Sequence, residues 1–276
     1  MNQTMIAAAV SMNGLQRKLD IIADNVANLN TKGYKRKTAS FADVLTNVQR
    51  HNEEFRQAGR VTPMGYTLGY GSKLTGLSRD MSQGSLQHTG VSTDVALQGN
   101  ALFEVGTPTG TAWMREGSFH YIIRDGDERI LASSEGHPVM STNDTEIRIP
   151  AGYEMKIDEA GRVFAVKTGE PDEELGQLKV VRPLKPELLV QTENNLYVLP
   201  QGADRNTVVE TLNLTGDRSD PNAPHVYVMQ GMLEESNVSM VDEMAELIQA
   251  QRAYQLASRA LMSGDAMWGL ANSLRA

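Results

Sequence analysis

The stretch GMLEESNVSMVDEMAELIQAQRAY (Gly231–Tyr254) decides how the rest of the chain is read. From Leu247, alternating steps of three and four residues reach Ala250, Tyr254, Ala257, Leu261, Gly264 and Trp268, an almost unbroken apolar line on one helical face. Val241, Met244 and Ile248 widen that line at its start. Ser239, with Asp242 three residues on, suits a capped first turn, and Val238 supplies the apolar residue just outside it. A long helix with a heptad seam is therefore expected, and alone in water it would be marginal. It needs a facing helix.

The first thirty residues supply one. The same alternation picks out Met5, Ala8, Met12, Leu15, Leu19, Ile22, Val26 and Leu29, with Asn13, Gln16, Arg17, Lys18, Asp20, Asp24 and Asn25 between them. Arg17 and Lys18 on this helix oppose Glu243 and Glu246 on the other, which favours a mixed pair over like pairs. Gly14 is the weak point of the first helix, costing about 1 kcal/mol against alanine, and a close backbone neighbour would explain it. The apolar period stops in Asn28–Gly33, where Gly33 suits a left-handed helix end.

Composition narrows the function. The apolar run from Met5 to Val10 follows no Lys or Arg and is cut by Asn13 and Gly14, so it does not read as a signal peptide. No segment approaches the ~20 apolar residues of a membrane span, so no membrane insertion is expected. The basic cluster Lys32, Lys35, Arg36, Lys37 is short and sits in a chain of net charge −8, which argues against nucleic acid and for a solvated or packing role. The absence of cysteine excludes disulfides and thiolate metal sites and suits a chain exported unfolded. Several of the 14 methionines lie on the seams, where a flexible thioether accommodates nonidentical neighbours.

Between the helical ends the pattern changes. From Ser40 to about Val91 the helical period is lost and glycines punctuate an extended connector, with room for a short amphipathic turn at Phe41, Val44, Leu45 and Val48. Ile122–Ile123 and Ile130–Leu131 flank an Asp125-Gly126 turn, a hairpin signature. Ile147, Ile149, Met155 and Ile157 alternate with polar residues up to a turn at Asp158–Gly161, and Val163, Ala165, Leu178, Val180 and Val181 continue the theme. The fold class expected is α+β: a helical coiled-coil domain from residues 1–40 with 231–276, connectors at 41–91 and 193–230, and a mainly antiparallel β barrel or sandwich at 92–192.

Nothing in the chain reads as an active site. The histidines 51, 88, 120, 137 and 225 lack metal-ligand spacing. Ser118 and His120 lack a nucleophile elbow, Asp125 and Asp127 lack the later ligands of a calcium loop, and Glu173 and Glu174 read as solvated carboxylates rather than paired acids of a wall hydrolase. No catalytic, cofactor-binding or metal residue is assigned.

Three ordered motifs carry a resemblance. NVANLNTKGYK, with Asn25, Asn28, Asn30, Thr31, Gly33 and Tyr34, closely resembles the amino-terminal motif of the bacterial flagellar rod and hook protein family. The stretch from Gly231 to Tyr254, with Ser236, Asn237, Val238, Glu243, Gln251 and Arg252, resembles its carboxy-terminal motif. Between them, Gly84-Ser85-Leu86 through Asp94–Val105 is similar to a third, although Ala101 and Leu102 stand where the family usually has a glycine and an aromatic, and Gln255–Ser258 replace a more usual pattern. The length of 276 residues is nearer to the distal-rod members than to the longer hook proteins. The resemblance implies a structural subunit of the basal body, exported beyond the cytoplasmic membrane by the flagellar type III export apparatus. Its partners would be copies of itself and other rod and hook proteins, in a helical tube that transmits torque. The assembly seams would be Met12, Leu15, Leu19, Ile22, Val26 and Leu29 at one end and Val241, Met244, Leu247, Ile248, Tyr254 and Leu261 at the other. The same elements would also suit a non-catalytic binding module whose terminal helices fold back on each other, and a wall-acting hydrolase ranks third.

Overall fold

A computed structural model describes residues 2–43, 47–48, 67–68, 72–108, 110–123, 128–167, 169–192, 195–200, 202–214 and 226–274. In chain order the elements are helix α1 (Asn2–Ala27), then strands β1 (Lys37–Asp43), β2 (Asn47–Val48), β3 (Thr67–Leu68), β4 (Ser72–Arg79), β5 (Leu86–His88), β6 (Val95–Gln98), β7 (Leu102–Thr107), β8 (Gly110–Met114), β9 (Phe119–Ile123) and β10 (Arg129–Ser133). There follow β11 (Arg148–Ile149), β12 (Glu154–Ile157), β13 (Arg162–Val166), β14 (Glu173–Gln177), β15 (Val180–Pro183), β16 (Val190–Gln191), β17 (Tyr197–Val198), the single turn α2 (Arg205–Val208), β18 (Val209–Thr211), β19 (Tyr227–Gln230), β20 (Met232–Glu234) and helix α3 (Met240–Ser273). The fold is α+β, with antiparallel strand pairing. The chain divides into two compact units: residues 1–26, 37–78 and 239–276, and residues 27–36 with 79–238.

The first unit holds α1, β1, β4 and α3, with β1 paired to β4 and β2 to β3. Helix α3 starts where Ser239 caps it: its backbone carbonyl accepts from the N–H of Glu243 at 3.0 Å, and its hydroxyl from that of Asp242 at 3.4 Å. On α1, a Cβ at Gly14 would lie 3.2 Å from the Ser72 carbonyl oxygen and 3.6 Å from the Phe41 ring, so the glycine admits a neighbouring strand. Asn25, 1% exposed, donates to the Lys37 carbonyl and accepts from the Lys37 N–H, both at 2.9 Å, and so pairs like a strand with the start of β1. The two long helices touch: Lys18 meets Glu246 at 3.2 Å, and a Cβ at Gly264 would lie 3.1 Å from the Met5 side chain. Moving up one helix is moving down the other, so they run antiparallel. The charge pairing expected between the two ends is made at Lys18–Glu246, where half-exposure limits it to about 0–1 kcal/mol.

The second unit is built on a six-stranded sheet in the order β16-β17-β8-β7-β15-β18, joined by β11-β10-β9, β12-β13-β14 and the pairs β19-β6 and β20-β5. Strand alternation sends Phe103, Val105, Ala112, Met114 and Val180 into a large core shared with Leu131, Ile147 and Val163. The intervening Leu102, Trp113 and Val181 enter a smaller core with Tyr197 and Val208 on the opposite face. Burial on both faces explains why β7 opens with apolar Leu102, Phe103 and Val105, interrupted only by Glu104. The expected hairpin pairs Ile122 with Ile130, its 125–126 turn lying outside the described residues, and the turn at Asp158–Gly161 closes with a Gly161 N–H to Asp158 bond of 2.8 Å.

Paired strands also occupy stretches that read as connectors. Strand β5 pairs with β20 and β6 with β19, so segments more than a hundred residues apart complete each other, and residues 197–211 add β17 and β18 to the main sheet. Phe41 lies in a strand and not in an amphipathic turn, while Val44 and Leu45 fall outside the described residues. Gly231–Glu235 precedes α3 as strand and loop, the helix beginning at Met240.

Candidate functional site: a buried junction of the three motifs

The amino-terminal, middle and carboxy-terminal motifs meet inside the second unit around the carboxylate of Glu234. Its Oε1 accepts from Lys35 Nζ at 2.7 Å and from the Gly84 N–H at 2.8 Å, and its Oε2 from Arg115 Nε at 2.6 Å. The three side chains are 1–2% exposed. Lys35 also donates to the Ser82 carbonyl at 2.7 Å, and Arg115 donates to the carbonyls of Leu97 and Ala101. Two cations thus share one carboxylate away from water. Burial, reinforced by the Arg115 charge, pulls the Lys35 pKa below its ordinary value against the opposing pull of Glu234, and burial likewise lowers that of Arg115.

Backbone pairing runs through the same place. The Gly33 N–H donates to the Glu234 carbonyl at 2.8 Å, and the Glu235 N–H to the Ser85 carbonyl at 2.8 Å. Asn237 accepts from the Arg36 N–H at 2.7 Å and donates to the carbonyls of Asp80 and Ser82. Glycines make the approach possible. A Cβ at Gly84 would sit 2.1 Å from the Glu235 carbonyl oxygen, and one at Gly117 only 1.6 Å from that of Val95. Gly33 has φ +67°, and its Cβ would be 2.6 Å from the Glu116 nitrogen. The left-handed turn expected at Gly33 is present, but it follows the end of α1 at Ala27, and its N–H serves this junction rather than a helix carbonyl.

The motif residues divide between the units. Gly33, Tyr34 (2% exposed) and Asn237 belong to the junction, and Asn28 accepts from Thr31 across the turn that leads into it at 3.1 Å, beside exposed Asn30. Ser236 accepts from the Val238 N–H at 3.3 Å, and Val238 is buried. In the first unit, Ile22, Asn25, Glu243 and Ala250 are buried, whereas Met12, Leu15, Leu19, Val26, Leu247, Tyr254 and Leu261 are half-buried. In the second, Leu29 is half-buried. Gln251 and Arg252 are exposed, and so are the apolar Val241 (78%), Met244 and Ile248. Spacing does not single out Lys35, Arg115 and Glu234, because a triad assembled across nearly two hundred residues leaves no local period.

The residues with catalytic potential are scattered. Ser118 donates to Glu116 at 2.5 Å, His120 is an exposed strand residue opposite Ala132, and Glu173 and Glu174 are exposed on β14. Among the described residues no group of three or more His, Asp or Glu could hold a metal ion, and no helix is long and apolar enough to cross a membrane.

Residues 6–35 match the family model described as flagella basal body rod protein, and residues 229–274 match that of the flagellar basal body rod FlgEFG protein C-terminal. Over its whole length the chain is 34% identical to the flagellar basal-body rod protein FlgG of Borreliella burgdorferi, covering 99% of that protein. It is 32% identical to the flagellar hook-basal body complex protein FlhP of Bacillus subtilis, with all of both chains covered. It is also 32% identical to FlgG of Agrobacterium fabrum over 96% of each chain. Both terminal motifs and the length between them are accounted for, and the chain belongs to the flagellar basal-body rod FlgG family.

Proposed function

We propose that the chain builds the distal part of the flagellar rod by stacking copies of itself through its terminal helices. It is a structural subunit of the flagellar basal-body rod and not an enzyme. In the proposed assembly the seams of α1 and α3 pair as coiled-coil helices, within one copy and with the same helices of its neighbours. Such a contact is heterologous: it repeats without closing and so grows into a tube. A dense inner wall of helices transmits torque to the hook. Other rod and hook proteins cap the two ends of the tube, and the subunit reaches its place through the flagellar export apparatus.

The observation that carries this reading is the unsatisfied surface of α3. Val241 is 78% exposed, Leu256 65%, Met262 58% and Leu270 65%, along a helix whose other face is already covered. A run of large apolar side chains left in water on an otherwise folded protein marks a surface made for contact. Leu256→Asp tests it, because it puts a carboxylate in the middle of that exposed face, where an unpaired charge is costly to desolvate on assembly. Purified wild-type protein should sediment as polymers at high concentration, whereas the variant should stay monomeric with Trp113 still buried in a folded β unit. Polymers of the variant at the wild-type concentration would contradict the reading, and a wild type that is monomeric at every concentration would favour the fold-back module.

A further inference from the structure

The first unit carries a groove of about 360 Å³ between α1 and β4. Its floor is buried Gly14 with half-buried Val10 and Leu74, and its rim is exposed Asn13, Arg17 and Lys73. The charged groups that line it, Arg17 and Lys73, are both cationic. A complementary occupant is apolar, to cover Val10 and Leu74, and acidic at its edge. The first two turns of α3 have that character: Val241 is 78% exposed, Met240 and Ile248 49% each and Met244 38%, and exposed Asp242 lies about 100° round the helix from Val241. Of the other acids there, Glu243 is buried and Glu246 already meets Lys18.

We propose that the α1–β4 groove of one copy receives the start of α3 from a second copy, with Val241 and Met244 against Val10 and Leu74 and Asp242 beside Arg17 and Lys73. The proposal rests on the assembly reading above and names the surfaces that meet. The two surfaces cannot satisfy each other within one chain. Because the helices are antiparallel and Lys18 faces Glu246, Asn13 and Val241 lie on opposite sides of that pair, about 15 Å apart along the axis. A disulfide needs Cα atoms within about 7 Å.

The chain has no cysteine, so Asn13→Cys with Val241→Cys gives a clean cross-linking pair. In basal bodies isolated from cells carrying the double variant, mild oxidation should produce a ladder of dimers, trimers and longer oligomers, because each copy offers one of each surface. Basal bodies that contain the protein but yield only monomer, or adducts with a different protein, would overturn the proposal while leaving the assembly reading intact. Basal bodies that lack the wild-type protein would overturn both. Charge reversal gives a second readout: Lys73→Glu should reduce swarming, and adding Asp242→Lys should restore it. Failure of the second change to restore what the first removes would also overturn the proposed contact.

Discussion

Replacing Glu234 by Gln perturbs the junction at its centre. The carboxylate is the shared acceptor for Lys35, Arg115 and the Gly84 N–H, and all three side chains are 1–2% exposed. Glutamine keeps the shape and one acceptor oxygen but removes the charge, leaving two buried cations facing a group that is itself half donor. Removing one partner of a buried ion pair costs about 3–5 kcal/mol, most of it the desolvation of the charge left behind. With a urea slope of about 2 kcal/mol/M, the midpoint should fall by roughly 2 M. Fluorescence of Trp113, buried in the same unit, reports the transition. Lys35→Met is the control: it leaves Glu234 neutralised by Arg115, so it should cost clearly less. A change below about 1 kcal/mol for Glu234→Gln, or a larger loss for Lys35→Met, would refute the view that the carboxylate is what makes the cluster tolerable.

Burial lowers the Lys35 pKa, so between that lowered value and the ordinary 10.5 the unfolded chain binds more protons than the folded one, and the Lys35 contribution to stability rises with pH. The difference in unfolding free energy between wild type and Lys35→Met should therefore grow in favour of the wild type across that interval; a flat difference would count against the shift. Gly33→Ala combines left-handed strain with a Cβ 2.6 Å from backbone and should destabilise by more than about 2 kcal/mol, whereas Gly90→Ala, at φ +72° with open space around it, should lose only the strain of about 1–2 kcal/mol, as urea titrations would show. His120→Ala, Ser118→Ala and the paired change of Glu173 and Glu174 to Gln should leave swarming intact; loss of motility with normal rods would reopen an enzymatic role.

The parts of this fold that sequence made legible are those with a local period. The steps of three and four through Leu15, Leu19 and Ile22 and through Leu247, Ala250 and Tyr254 mark both long helices, and the alternation at Met155 and Ile157 marks a strand. Strands β5, β6, β19 and β20 were hidden because they are short and each is held by a partner far away in the chain. The junction was hidden for the same reason. Lys35 read as one member of a basic cluster, yet it is buried because Glu234 is brought to it by the pairing of β20 with β5. Motif resemblance pointed to the right segments, while the contacts that unite them are a property of the folded chain.

Electron microscopy of basal bodies from cells lacking this protein tests the central claim most directly. The account predicts rods that stop short and carry no hook, with full-length rods restored when the protein is supplied again. Complete rods bearing hooks in its absence would contradict a structural role in the rod.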